Sequence, residues 1–279
     1  MRNKAILLTG LALGAAVSPA FAQGSSKRQS PTSKFYVAEV KGFAQVNTGE
    51  KIEDLTEKSV FDAEGTVIET KPDSANALVM SNGAGLYFAP DTKMSVDRFV
   101  QEPFEPNRTD LDTEPSVSQT RNRVSRGSVG LCTSKLVAGS SMVYNTPHAS
   151  VNVLSQSTQK VAMQIDDNST TISLFEGAVT LRGDNMAGGE TLQPGQQAII
   201  TPRGVNQPPI ITIQPIPQEQ LEPLGDMVNS ACQARSKVYF DIADREVLGQ
   251  TEADTLEAVV VEPEDPTEVG PIVSPARAP

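Results

Sequence analysis

From Lys34 onward, apolar and polar residues alternate in short runs broken by Gly, Asn, Asp and Pro. Period two places successive side chains on opposite faces of a strand, so these runs predict half-buried β-strands. Phe35–Val40, Val67–Thr70, Ala77–Met80 and Leu86–Ala89 are the first. Ser81-Asn82-Gly83 is a tight-turn signal between the last two. Met94 and Val96 alternate with Ser95 and Asp97. The rhythm resumes near Val124 and predicts strands at Lys135–Ala138, Met142–Asn145, Val151–Val153, Val161–Ile165, Ile172–Leu174, Val179–Leu181 and Gln197–Thr201. Many short strands with turns every 8–12 residues or so predict a β-solenoid or a sandwich. Between the two sections, residues 101–122 are rich in Pro, Asp, Glu and Thr, and read as an exposed loop insertion.

Past Pro217 the period changes. Leu221, Leu224, Val228, Ala231, Arg235 and Val238 recur every three or four residues, the stripe of one amphipathic helix within residues 216–250 that packs on the β domain of residues 34–215. Proline is tolerated in the first turn of a helix, so Pro223 predicts a start near that residue. Residues 251–279 are acidic and end in repeated prolines; such a segment buries too little apolar surface to offset its ordering entropy and reads as a disordered tail.

The N-terminus bears on compartment. Arg2 and Lys4 precede the apolar stretch Ala5–Val17, and Ala20-Phe21-Ala22 fits the small-x-small cleavage rule. Residues 1–22 therefore read as a signal peptide and 23–33 as a flexible leader. The expected mature chain is periplasmic or secreted from a bacterium, with no transmembrane segment, since no later apolar run reaches the roughly 18 residues a span needs. Removing the two positive charges of Arg2 and Lys4 takes the net charge from −11 to −13. That balance disfavours nucleic acid, whose phosphates need a basic surface. The absence of Trp and scarcity of other aromatic residues disfavour a cleft that stacks sugar rings.

Three groups of motifs resemble the FecR domain, a β domain of bacterial envelope regulators. The first is Gly65-Thr66-Val67-Ile68-Glu69-Thr70 with Ser74-Ala75 through Gly83 and Leu86 through Thr92. The second is Asn145-Thr146-Pro147-His148-Ala149. The third is Thr171 through Val179 with Leu192-Gln193-Pro194-Gly195-Gln196-Gln197. The resemblance implies a periplasmic β fold over most of the mature chain. Sigma-factor control does not carry over. Regulatory members have a cytoplasmic segment and a membrane helix, and here a signal peptide stands instead. Where the family continues to an Arg-Gly-Thr run, this chain has Asn152-Val153-Leu154-Ser155.

Candidate chemistry is sparse. His148 is the single histidine, so any Ser-His-Asp set must use it; beside Pro147 it reads as structural. Asp166-Asp167-Asn168 reads as a turn, lacking the spaced acidic order of a calcium loop. Asp110, Asp112 and Glu114 read as a solvated charge run, and Arg182-Gly183-Asp184 as a hairpin end. Cys132 and Cys232 either bridge or remain two buried thiols; a bridge would close a loop of about 100 residues. Neither a metal nor a cofactor site is expected. The sequence thus supports a non-enzymatic envelope module that binds or scaffolds a protein or other envelope component. The alternative is a periplasmic sensor relaying to a separate membrane regulator.

Overall fold

In the computed structural model, seventeen strands precede one helix among the described residues. The structure describes residues 33–104, 112–154, 157–183, 189–204 and 207–238, and the backbone of 239–243, 246–247, 250–251 and 255–260. The first half holds β1 Lys34–Lys41, β2 Ala44–Asn47, β3 Ile52–Asp54, β4 Val60–Asp62, β5 Val67–Thr70, β6 Ala75–Met80, β7 Gly85–Phe88 and β8 Lys93–Gln101. β9 Ser118–Thr133 is the longest. The second half holds β10 Ser141–Asn145, β11 Ser150–Val153, β12 Gln159–Ile165, β13 Thr170–Glu176, β14 Val179–Arg182, β15 Glu190–Leu192, β16 Gln196–Thr201 and β17 Ile210–Pro215.

These strands form an open, mostly antiparallel sandwich of two layers that share β9. The first layer runs β4-β1-β6-β7-β9-β12-β13-β16-β17. The second runs β3-β2-β5-β8-β9-β10-β11-β14-β15, and its β9–β10 pair is parallel. The N-terminal half of β9 lies in the second layer and its C-terminal half in the first. Gly127, at φ +86°, marks the passage; a Cβ there would stand 2.4 Å from Thr92 Oγ1. A strand that changes sheet needs such a bend.

One continuous core lies between the layers. Phe35, Leu78, Leu86, Leu131, Met163 and Ile172 from the first layer meet Val46, Ile68, Phe99, Met142, Val151 and Leu181 from the second. Each is at most 1% exposed, and each is an inward position of the period-two pattern. Burying side chains of this size is worth roughly 1.5–3 kcal/mol each before chain entropy is counted.

Helix α1, Gln218–Ser236, covers the outer side of the first layer. Leu224, Met227 and Val228 pack with Ala162 of β12 and Ile216, and Ala234 packs with Tyr36, Ala77 and Val79. Two strand glycines allow a close approach. A Cβ on Gly85 of β7 would meet the Ala231 carbonyl oxygen at 2.2 Å, and one on Gly130 of β9 the Met227 carbonyl oxygen at 2.5 Å. A disulfide joins Cys132 of β9 to Cys232 of α1. Arg235 donates from Nε to the Gly83 carbonyl at 2.9 Å and from Nη2 to Ser134 Oγ.

Several boundaries differ from the sequence expectation. Pro223 lies inside α1 rather than at its start; it removes one backbone donor, and packing on the sheet carries the first turn past it. After the helix, Val238–Ala243 (β18) pairs with Thr255–Val260 (β21), and Glu246–Val247 (β19) pairs with Gln250–Thr251 (β20). The expected helical segment thus ends at Ser236, and part of the expected disordered tail is strand. Residues 261–279 lie outside the described residues, as do the signal peptide and the leader up to residue 32. Lys135–Ala138 is not a strand; Lys135 makes only an isolated bridge with Thr113.

The expected loop over 101–122 is shorter at both ends: residues 102–104 and 112–117 belong to no strand, but the flanks do. Gln101 ends β8 and β9 already begins at Ser118. Gln101, Glu114, Ser118, Thr120 and Asn122 are buried. Ser118 Oγ donates to Glu114 Oε2 at 2.8 Å, and Val137 N donates to Glu114 Oε1 at 2.8 Å. Asn82 Nδ2 donates to Ser118 and Thr120 hydroxyls at 3.2 and 3.3 Å. The strand is hidden in the sequence because its inward residues are polar, with Ser118 and Thr120 taking their partners from Asn82 and Glu114. Residues 105–111 lie outside the described residues.

Candidate functional site

Among the described residues, no helix covers the outer side of the second layer. Strand register lays its side chains out in rows. One row runs Asn47 (β2), Val67 (β5), Ser95 (β8), Arg123 (β9), Asn145 (β10), Ser150 (β11) and Arg182 (β14). The next places Arg98 of β8 against Arg121 of β9, followed by Val143, Asn152 and Thr180. Apart from Val67 and Val143, both rows are polar for the same reason: the opposite phase of each strand is spent on the core.

A β-bulge changes the pattern at β8. Register shifts between Val96 and Arg98, so Asp97 and Arg98 are both exposed although adjacent in sequence. Bulges re-aim side chains in this way. Asp97 then meets Arg123, whose Nε and Nη2 reach Asp97 Oδ2 at 3.1 and 2.8 Å, while Ser95 Oγ donates to Oδ1 at 2.9 Å. Arg98, in contrast, stands opposite Arg121.

Charge is unevenly satisfied across the face. Glu69 of β5 is the hub of one side, with Lys71 at 2.8 Å, Arg126 at 3.3 Å and Lys93 at 3.6 Å. The Lys71 hydrogen bond and the surrounding cations hold its carboxyl below the usual range. On the other side, the side chains of Arg98, Arg121 and Arg182 make no hydrogen bond or ion pair with any described residue. They line a groove of about 790 Å3 together with Arg123, Asp97, Glu64, Val143, Asn145, Ser150 and Asn152. Among the described residues, four guanidinium groups and two carboxylates give it a local excess of positive charge within an acidic protein.

The residues singled out from sequence lie elsewhere. His148 Nδ1 is 2.9 Å from the hydroxyl of buried Thr170, which donates to Thr146 Oγ1 at 3.2 Å. Asp166 caps its own turn by accepting from the backbone N–H groups of Asn168 and Ser169 at 2.8 and 2.7 Å, which lowers its pKa. Glu114 is buried rather than solvated, and burial pushes its carboxyl up despite its hydrogen bonds. Asp110 and Asp184 lie outside the described residues, and Arg182 ends β14. Among the described residues no three His, Cys, Asp or Glu side chains gather as a metal set. No helix there is long and apolar enough to cross a membrane. The arginine groove went unread in the sequence. Its one local signal is Arg121-Asn122-Arg123, two arginines at strand spacing; Arg98 and Arg182 reach it through non-local pairing.

No family model and no curated protein matches the chain. Among solved structures it is similar to two crystal structures, at 1.65 and 2.50 Å resolution, of a Parabacteroides distasonis protein provisionally described as an anti-sigma factor. Identity is 12% in both, the match covers 70% of this chain and 99% of the other, and the TM-scores are 0.38 and 0.37.

Proposed function

We propose that this protein is an exported, non-enzymatic binding or scaffolding module, and that the outer face of the second layer is its contact surface. The observation that carries this is the arginine groove. Unpaired cations set side by side add nothing to folding, since like charges directly opposite in a sheet are destabilising. The leader motif at Arg2–Ala22 supports export. The FecR-like motifs support the same compartment.

The test is retention of an envelope component by the immobilised full mature chain. Reversing charge in the groove with Arg121→Glu and Arg182→Glu is expected to abolish retention, while Glu222→Lys on the helix leaves it intact. Retention that survives the groove variant and is lost in the helix variant would reject the assignment.

A further inference from the structure

We infer that the groove takes a phosphate monoester carried on a hydroxyl-rich body, of the sugar-phosphate class; this rests on reading the same face as the contact surface. The anion seat is the pair Arg98 and Arg121. They are directly opposed across β8 and β9, about 5 Å apart at Cα by the geometry of an antiparallel pair. One carboxylate satisfies one guanidinium in a fork-to-fork pair and leaves the second uncompensated. A phosphate monoester carries about −1.5 to −2 charge and three acceptor oxygens, which suits two guanidinium groups at once.

The charge balance of the described lining residues agrees. Arg123 is neutralised by Asp97, and Glu64 offsets one further cation among those lining it. The excess that remains is two positive charges, the charge of one dianionic monoester.

The remainder of the groove specifies what the phosphate is attached to. From Arg123 to Arg182 the row crosses three strand gaps, about 14 Å at the usual interstrand spacing. Asn145, Ser150 and Asn152 form its floor. Ser150 Oγ already donates to Asn145 Oδ1 at 2.8 Å, and Asn152 Nδ2 reaches the Thr180 carbonyl at 3.5 Å. This leaves the Asn145 amide donors and the Asn152 carbonyl oxygen for a ligand, a mix of donor and acceptor that matches hydroxyl groups. No aromatic ring is among the described residues that line the groove, so recognition by them runs through charge and hydrogen bonds rather than stacking. Its volume, about 790 Å3, lies within the range of about 300–1,000 Å3 of small-molecule sites. The net negative charge of the chain does not oppose this, because screening over about 8 Å at physiological salt makes the local patch decisive.

Isothermal calorimetry on the full mature chain tests the assignment with glucose 6-phosphate, inorganic phosphate and hexaglutamate as probes. The sugar phosphate is expected to bind at least about tenfold more tightly than either other probe, and Arg121→Gln to weaken it at least about tenfold. Arg182→Gln is expected to weaken glucose 6-phosphate without changing inorganic phosphate. Lys160→Gln, on the first layer, leaves all values unchanged. Thermal melting at the wild-type temperature certifies that each variant is folded. Several outcomes overturn the inference: no saturable binding of glucose 6-phosphate, binding indifferent to Arg121→Gln, equal affinity for inorganic phosphate, or preference for hexaglutamate, which marks an acidic protein segment. If groove-dependent retention of an envelope component persists while glucose 6-phosphate fails to bind, the ligand class falls and the contact surface stands. Loss of both removes both.

Discussion

On the outer side of the first layer, Tyr36, Ala77, Val79, Ala162 and the two glycines Gly85 and Gly130 lie under a helix that is fastened to the sheet by a disulfide. At equivalent outward positions of the second layer stand Glu69, Asp97, Arg98, Arg121, Arg123 and Arg182, most of them in water. Inward, both layers obey one rule and feed one core. Outward, one is committed to stability and the other is not. Function in such a sandwich can be placed on the face whose residues the fold does not need.

The largest effect belongs to the covalent tie. Replacing Cys132 and Cys232 together by Ser removes a link between residues 100 apart in sequence. The chain-entropy model gives a loss of about 4–5 kcal/mol for a loop of that length. Urea unfolding of the double variant measures it, and amide exchange in Gln218–Ser236 is expected to accelerate ahead of exchange in the central strands. A loss below about 1 kcal/mol would mean that packing alone holds the helix.

Next come the glycines under the helix. Gly130→Ala drives a methyl group to 2.5 Å from the Met227 carbonyl oxygen, and Gly85→Ala to 2.2 Å from that of Ala231. Backbone cannot rotate away as a side chain can, so α1 must shift as a body. Overpacking of this kind costs about 1–3 kcal/mol, while Ser125→Ala on the opposite layer is expected to stay within about 0.5 kcal/mol of wild type. Equal effects on the two faces would erase the distinction.

The core strands and the helical stripe were readable because a single face of each is apolar: Val161, Met163 and Ile165 at period two, Leu224, Val228 and Ala231 at helical period. The short strands Ile52–Asp54 and Glu190–Leu192 offered too few residues for alternation to register. β9 was concealed over Ser118–Asn122, where the inward residues Ser118, Thr120 and Asn122 are polar and the first two accept hydrogen bonds from Asn82. The groove was concealed for a different reason. Its arginines are charged residues at ordinary surface positions, and only the register of four strands brings them together.

Glu114 offers a pH test of the buried polar end. Burial raises its pKa above the ordinary 4.5, against hydrogen bonds from Ser118, Ser140 and Val137. The folded state therefore holds the proton more tightly than the unfolded chain. The stability this contributes is present in full below 4.5 and is lost as pH climbs through the folded value. Chemical denaturation across that window is expected to show the wild type falling relative to Glu114→Gln. A pH-independent difference would place the carboxyl in contact with water, as the sequence first implied.

The smallest expected change is the one that most sharpens the contrast. Arg98 and Arg121 face each other as like charges across an antiparallel pair, with no carboxylate bound to either among the described residues. Opposed like charges are mildly destabilising, so Arg98→Gln is expected to leave the midpoint of urea unfolding unchanged or raise it, by no more than about 0.5 kcal/mol. The gain should shrink as salt is added, because added ions screen the same repulsion. The bulge that exposes Arg98 beside Asp97 is a backbone feature and is expected to persist in the variant. If instead Arg98→Gln costs as much as a glycine under the helix, the guanidinium is holding the sandwich together, and the second layer has no face to spare for a ligand.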